Sequence, residues 1–185
     1  MAREGGPEAI VLREAARRVG VSPNAAYRHF ADLPDLVAAV GRRALTELAA
    51  AMQAEIARQR ATGDDAFDAR RFVHSTGRAY IDFALAEPGL FRTAFDRQGG
   101  LDSNVATGEE WVSPHEWLTE GLQRLVAAGL LPVEEMESAR MLAWSSVHGL
   151  SWLLMGPMSD LPKRTRNQLI EATLDQCERG LAPGR

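Results

Sequence analysis

Basic side chains that could bind phosphate are concentrated near the start of the chain. Residues 1–43 contain seven arginines and five acidic residues, a formal charge of +2 in a chain whose net charge is −4, so the remainder carries −6. Guanidinium groups pair well with phosphate oxygens. This asymmetry is expected if only the N-terminal part of the molecule meets phosphate, because a net negative charge argues against general affinity for polyanions.

Residues 12–30 read as two short helices that would position these arginines. The apolar residues of the first helix recur at i, i+3, i+4 and i+7: Leu12, Ala15, Ala16 and Val19. This spacing predicts a helix over residues 8–19. Gly20 is expected to end that helix, since glycine adopts the left-handed conformation without steric cost. Ser22 as N-cap and Pro23 at the first helical position predict a second helix directly after the turn.

Two helices joined by a short, fixed turn are the geometry of a helix-turn-helix DNA reader. One helix enters the major groove while the preceding helix spans the backbone. Ala26 and Phe30 lie four apart on one face of the second helix, which leaves Asn24, Tyr27 and Arg28 around the rest of it. The alternative is an ordinary helical hairpin whose arginines form a solvated face.

The stretch LREAARRVGVSPNAAYRHF (residues 12–30), with Leu36 six residues further on, resembles the DNA-binding head of the TetR/AcrR family of bacterial repressors. The stretch AWSSVHGLSWLL (residues 143–154) resembles a Trp-then-His-Gly signature in the C-terminal domain of one branch of that family. The resemblance implies an all-α protein with a helix-turn-helix DNA-binding domain over residues 1–43. It also implies a helical ligand-binding and dimerisation domain over residues 44–185.

Membership of this family further implies a homodimer whose heads read two half-sites of a palindromic operator. By position, Pro23, Asn24 and Ala25 would approach base edges, and Asn24 could make a bidentate contact to adenine. Tyr27 and His29 would hold phosphates. Three arginines are either additional phosphate contacts or merely exposed: Arg17, Arg18 and Arg28. The implied protein is a ligand-responsive transcriptional regulator, most simply a repressor.

The chain departs from the family pattern in three places. Only eleven residues precede Leu12, so we expect the first helix of the head to be missing or truncated and residues 1–7 to form a flexible leader. Val11 stands where Ser or Thr commonly caps a helix, and Leu33 stands where a lysine is typical. Each phosphate contact that is lost releases about one counterion fewer on binding, which lowers the affinity for DNA. The alternative function is therefore a ligand-binding or protein-interaction dimer whose head no longer binds DNA.

The remainder of the chain is expected to be helical throughout. The predicted helices cover residues 33–59, 66–86, 114–128, 134–155 and 162–179, with a short helix after Pro88 and a loop over residues 97–110. No stretch alternates convincingly with period two, which supports an all-α fold.

Aromatic residues in this part of the chain suggest a ligand pocket, given the family. The residues assigned to it are Tyr80, Phe83, Trp117, Trp144 and His148, with Met155 or Phe95 nearby. Aromatic side chains that converge between helices commonly line apolar cavities. The expected effector is a small, partly apolar molecule, and the alternative is that these residues simply fill the core.

Residues 134–156 and 163–180 carry apolar side chains on more than one helical face. Such a helix pair is typical of packing against its two-fold mate in a four-helix bundle. We therefore expect homodimerisation through these two helices, although burial within one subunit would account for about half of the positions.

Signatures of catalysis, cofactor binding and metal binding are missing from the sequence. There is no Gly-rich phosphate loop or nucleophile elbow, and Ser145 and Ser146 near His148 lack an identifiable third member of a triad. His74, His115 and His148 do not share metal-ligand spacing. We expect no enzymatic activity, no cofactor and no metal.

The sequence also indicates where the protein resides. No apolar run approaches the ~18 residues of a membrane span, and the N-terminus lacks the apolar core of a signal peptide. The single cysteine, Cys177, suits a reducing compartment. We expect a cytoplasmic protein that does not enter membranes.

Overall fold

The computed structural model describes residues 1–95 and 112–182. Within these ranges the chain forms α-helices and two short 3-10 turns, Pro7–Ala9 and Val133–Glu135, and no strand. The helices are α1 Ala2–Gly5, α2 Leu12–Arg18, α3 Pro23–Ala26, α4 Leu33–Ile56, α5 Asp65–Ala86, α6 Pro88–Ala94, α7 Pro114–Ala127, α8 Met136–Met155 and α9 Lys163–Leu181. The predicted all-α fold is confirmed. The predicted loop over residues 97–110 lies outside the described residues.

The chain divides into two compact units. The first consists of Met1–Glu47 and Ala86–Trp111, and the second of Leu48–Leu85 and Val112–Arg185. Helix α4 contributes to both, because the division falls within it after Glu47. The domain boundary that we expect between residues 43 and 44 stays a prediction, since these units are defined by contacts rather than by independent folding.

The first unit has a small apolar core around the helix pair α2 and α3, which pack against each other. Its buried residues are Ile10, Leu12, Ala16, Ala26, Leu36 and Val37. Gly20 makes the turn between the two helices with a φ of +74°, a conformation that glycine adopts without strain. Ser22 caps α3, because its side-chain oxygen accepts from the backbone N–H of Ala25 at 3.2 Å. The predicted turn and N-cap are confirmed.

Both helices of the pair are shorter than the sequence indicates. Helix α2 begins at Leu12 rather than at residue 8, because Val11 is extended and a 3-10 turn precedes it. Helix α3 ends at Ala26. Beyond it Tyr27 and Phe30 keep i→i−4 hydrogen bonds to Pro23 at 3.1 Å and to Ala26 at 3.0 Å. Between them lie i→i−3 bonds, from Arg28 to Ala25 at 3.1 Å and from His29 to Ala26 at 3.0 Å. Such bonds tighten the end of a helix into a turn.

The N-terminal residues are folded, contrary to the flexible leader that we expected. Helix α1 packs against α6. The Arg3 guanidinium bridges Glu47 at 2.7 Å and Glu87 at 2.5 Å. Gly89 permits the close approach, because a Cβ atom there would overlap the carbonyl oxygen of Ala2. The sequence could not show this arrangement, since each contact joins residues far apart in the chain.

The second unit is built from the end of α4 and the long helices α5, α7, α8 and α9. One buried cluster comprises Ala69, Val73, Leu122, Leu125, Leu131, Ala139, Ala143, Cys177, Leu181 and Ala182. Another comprises Ile81, Leu150, Leu154, Ile170 and Leu174. The ends of α4, α5, α7, α8 and α9 lie within three residues of the predicted ones. Of the helices in the described ranges, none is long and apolar enough to cross a membrane.

Candidate nucleic-acid interface and aromatic cluster

The side chains that we predicted to contact DNA are almost all exposed. Those at the surface are Arg17, Arg18, Pro23, Asn24, Tyr27, Arg28 and His29, while Ala25 is half-buried. The Tyr27 side chain is 48% exposed. Among residues 1–95 and 112–182, no hydrogen bond or ion pair engages the side chains of Tyr27, Arg28 or His29. These three consecutive residues are therefore available to an external partner.

Arg17 and Arg18, in contrast, are both paired with the same carboxylate. The Glu14 side chain accepts from Arg17 at 2.7 and 2.8 Å and from Arg18 at 3.0 Å. Hydrogen bonds from these two guanidinium groups lower the pKa of Glu14 to about 2. Glu14 is therefore ionised at neutral pH, so the three side chains together carry one positive charge rather than two. The sequence analysis missed Glu14, although its i, i+3 and i, i+4 spacing to the arginines is a recognisable signal.

The two unusual residues of the head lie at the surface. Val11 is the N-cap of α2, is 50% exposed and provides no side-chain cap. Leu33 opens α4 and is 42% exposed. A hydroxyl or an ammonium group at either position would be accessible to phosphate, whereas these aliphatic side chains can donate no hydrogen bond.

Reciprocal caps tie the end of the helix pair to the start of α4. The backbone N–H of Asp35 donates to the Asp32 carboxylate at 2.9 Å, and the backbone N–H of Ala31 donates to the Asp35 carboxylate at 3.1 Å. Asp32 thus caps the start of α4. The exposed segment Tyr27–His29 therefore ends two residues before a turn that is hydrogen-bonded to the start of α4.

In the second unit, two of the predicted ligand residues, Tyr80 and Trp144, lie around the imidazole of a third, His148. His148 Nδ1 lies 2.8 Å from the Tyr80 hydroxyl oxygen. The Trp152 indole N–H donates to His148 Nε2 at 2.8 Å. The Trp144 and His148 rings are 6.2 Å apart in an edge-on arrangement. We call Tyr80, Trp144, His148 and Trp152 the aromatic cluster.

These contacts determine the tautomer of His148. An indole N–H is only a donor, so Nε2 must accept and carries no proton. The single proton of the neutral ring therefore lies on Nδ1 and donates to the Tyr80 oxygen. Burial lowers the pKa of His148, which favours the same neutral state. Burial also raises the pKa of Tyr80, so the phenol stays protonated, and a hydrogen bond from Trp144 opposes this shift only in part.

The cluster continues towards the start of α8, where Arg140 lies four residues before Trp144, and from there to His115 on α7. The Trp144 ring lies 6.3 Å from that of His115 on α7. Arg140, one turn before Trp144, lies 3.1 Å from His115 Nε2. Burial, and secondarily the charge of Arg140, lowers the pKa of His115. The sequence analysis assigned neither His115 nor Trp152 to the site, although the four-residue spacing of Trp152 from His148 could have indicated it.

The remaining predicted pocket residues lie in other surroundings. The Trp117 ring lies 6.2 Å from that of Phe72. Phe83 is buried and Met155 is half-buried at the end of α8. Phe95 belongs to the first unit, where its ring lies 4.8 Å from that of Phe91. The ligand role of all these residues stays a prediction.

A surface depression of about 760 Å³ lies along α9 and includes none of the predicted ligand residues. Its lining consists of Lys163, Arg164, Asn167, Gln168, Glu171, Ala172 and Asp175. All seven belong to one helix, so this is an open groove rather than a cavity between helices. Over the described part of the chain, no three potential metal ligands come together.

Helix α8 presents an apolar face to solvent. The exposed fractions are 50% for Met141, 41% for Leu142, 39% for Trp152 and 46% for Leu153. These residues recur at helical spacing, so they form one stripe, which we call the apolar face of α8. Helix α9 adjoins it, since a Cβ on Gly180 would lie 3.1 Å from Leu142. Exposed apolar stripes of this kind commonly mark protein interfaces.

The first unit thus defines a helix-turn-helix protein, and the second is a helical domain with an aromatic cluster. Residues 73–177, more than half of the chain, match the tetracyclin repressor-like, C-terminal domain family. The chain belongs to this family, which confirms the resemblance of the sequence to TetR-type regulators. The finer resemblance to a Trp-His-Gly branch stays a prediction.

Two solved structures are similar to this fold. A protein with unknown function from a Rhodococcus species has a TM-score of 0.72 and 24% identity, with 95% of this chain and 86% of that chain covered. The TetR family transcriptional regulator PfmR from Thermus thermophilus has a TM-score of 0.50 and 22% identity, with 96% of this chain and 92% of that chain covered. No curated protein matches the sequence.

Proposed function

We propose that this protein is a DNA-binding transcriptional regulator that acts as a homodimer on a palindromic operator. The observation that carries the proposal is the exposed segment Tyr27–His29 at the end of α3, whose side chains have no partner among the described residues. A phenol, a guanidinium and an imidazole are all donors to phosphate oxygens. Asn24 in α3 is exposed as well and supplies a side chain that can read adenine.

The apolar face of α8 supports homodimerisation. Leu142 and Trp152 are large apolar side chains left in solvent by the monomer. A second copy related by a two-fold axis would cover the same face on both subunits, which is the usual closed arrangement of homodimers. Two heads held about 34 to 36 Å apart would enter successive major grooves.

We further propose that the protein represses transcription and that binding of a small, partly apolar effector releases it from DNA. The aromatic cluster offers such a molecule ring surfaces together with the polar atoms of Tyr80 and His148. Helix α4, Leu33–Ile56, begins just after the capped turn at Asp32 and contributes residues to both units, so it is the segment through which we infer that the effector acts. A displacement of a few ångströms is enough to misplace a helix in the groove.

Fluorescence anisotropy on a palindromic fragment from near the coding region tests this function. The wild type is expected to bind with strong salt dependence. Tyr27→Ala and His29→Ala should each weaken binding, whereas Arg28→Ala should also lower the salt slope by about one unit. Phe67→Ala is the matched control, since Phe67 is 51% exposed but lies in the second unit. Unchanged affinity of all three head variants would contradict the phosphate-contact assignment.

A second function is favoured by the state of Arg17 and Arg18. Because Glu14 neutralises part of their charge and because Val11 and Leu33 offer no donor, the first unit has few strong phosphate contacts. The alternative is a ligand-binding or protein-interaction dimer whose head does not bind DNA. A dimer in solution that fails to bind any fragment at low salt would establish this alternative.

A further inference from the structure

Trp152 belongs to two structural features at once. Its ring forms part of the apolar face of α8 and is 39% exposed, next to Leu153. Its indole N–H donates to His148 Nε2 at 2.8 Å, inside the aromatic cluster. The orientation of an exposed aromatic ring on this face is therefore held by a hydrogen bond to a half-buried imidazole.

The imidazole couples this bond to the Tyr80 hydroxyl on α5. In the tautomer that the Trp152 contact requires, Nδ1–H donates to Tyr80 and Nε2 accepts from Trp152. If the Tyr80 hydroxyl instead donates to Nδ1, the ring proton must occupy Nε2, where it faces the Trp152 N–H. Two donors cannot share one hydrogen bond. Tyr80 therefore cannot donate to His148 while the Trp152 indole N–H is hydrogen-bonded to the same ring.

We propose that His148 is a positioning residue that transmits a change at the Tyr80 hydroxyl to the Trp152 ring on the apolar face of α8, where a second copy of the chain docks. The docking part rests on the proposed homodimer. The transmission itself concerns atoms within one subunit. Any molecule that binds the Tyr80 hydroxyl and reverses its donor role releases Trp152 and alters the surface that the second copy meets.

The four tryptophans provide a direct readout, since each gives one indole N–H signal in a 15N-labelled sample. Trp152→Phe assigns the signal of Trp152. Tyr80→Phe keeps the ring but removes the acceptor of Nδ1–H, so the imidazole proton is free to move to Nε2 and the Trp152 signal should shift. The matched control is Thr119→Val, because it removes a hydroxyl that donates to the His115 carbonyl at 3.0 Å within α7. An unmoved Trp152 signal in Tyr80→Phe overturns the proposal.

His148→Gln separates transmission from simple repacking. An amide can accept from Trp152 at its oxygen and donate to Tyr80 at its nitrogen, but it cannot exchange a proton between the two ends. In this background Tyr80→Phe should leave the Trp152 signal unchanged. An equal shift in both backgrounds would mean that the effect travels by another route, and the role of His148 would be rejected.

The dimer dissociation constant tests the consequence at the surface. Sedimentation of the full chain should show roughly twofold to tenfold weaker association for Tyr80→Phe than for wild type, the range expected if Trp152 loses its one hydrogen bond to His148 and is no longer held in position on the docking face. Thr119→Val should associate like wild type. A wild type that remains monomeric overturns the homodimer and the docking part of the proposal, while the indole signals still decide the transmission.

Discussion

The backbone carbonyl oxygen of Ala2 occupies the space that a side chain at Gly89 would need. This contact seats α1 on the second residue of α6, and Arg3 adds ion pairs to Glu47 and Glu87. The first turn of the chain is thereby joined to the helix that follows α5. An N-terminal segment of only a few residues has become part of the packed first unit.

Replacing Gly89 by alanine should displace α1, because the added methyl group meets backbone atoms that cannot rotate away. We expect a loss of about 1–3 kcal/mol in the free energy of unfolding, the usual cost of overpacking, measured by urea denaturation. Gly149→Ala is the control, since no atom lies within 4 Å of the added Cβ. That change should be neutral or stabilising, because alanine favours helix over glycine. Equal destabilisation of both variants would contradict the seating of α1.

Glu14→Gln should strengthen DNA binding if the proposed function holds. The change frees Arg17 and Arg18 from a shared carboxylate and adds about one unit to the salt slope of binding, as measured by anisotropy at several salt concentrations. Glu55→Gln is the matched control, because Glu55, in the second-unit part of α4, pairs at the same three-residue spacing with Arg58 just beyond the helix, 2.6 Å away. A weaker complex in Glu14→Gln would show that the carboxylate assists binding.

Leu142→Glu should dissociate the proposed homodimer without unfolding the subunit. Leu142 is 41% exposed, so a charge is tolerated in the monomer but would be buried against a second copy. Sedimentation velocity should show a monomer with an unchanged circular dichroism spectrum. Val133→Glu places the same charge at a 66% exposed residue outside α8 and should stay dimeric. If the Leu142→Glu variant stays dimeric, the dimer interface lies elsewhere on the molecule.

The His148 pKa makes stability depend on pH with a defined sign. Burial lowers this pKa in the folded state, so below the ordinary value of about 6.5 the unfolded chain binds a proton more readily than the folded one. Stability is therefore fully present above about pH 6.5 and decreases as the pH falls through that value. The melting midpoint of wild type should fall more than that of His148→Gln between about pH 7.5 and about pH 5.5. Parallel curves would assign the pH dependence to other groups.

The long helices could be predicted from the sequence because local signals bound them. Asp32 and Pro34 start α4, Ser113 and Pro114 start α7, and Gly156 follows α8. The pairing of Glu14 with two arginines was also local and could have been found. The contact of α1 with Gly89 could not, because nothing in either segment identifies its partner.

In the aromatic cluster, too, some features could be predicted from the sequence and others depend on how the helices pack. Tyr80, Trp144 and His148 were grouped on family resemblance, and the structure brings them together. Their hydrogen bonds depend on how α5 packs against α8, with 68 residues between Tyr80 and His148 in sequence. Periodicity fixes the faces of helices but not the rotation that aligns two polar atoms.

If the proposed DNA binding holds, the shortness of α3 limits how many base pairs this protein can read. Four residues span about 6 Å along a helix axis, which is less than two base-pair steps of about 3.4 Å each. A groove-bound α3 therefore reaches the edges of roughly two base pairs in each half-site. Discrimination among sites then falls on the spacing of the half-sites and on the stiffness of the intervening DNA, properties that no side chain of α3 touches.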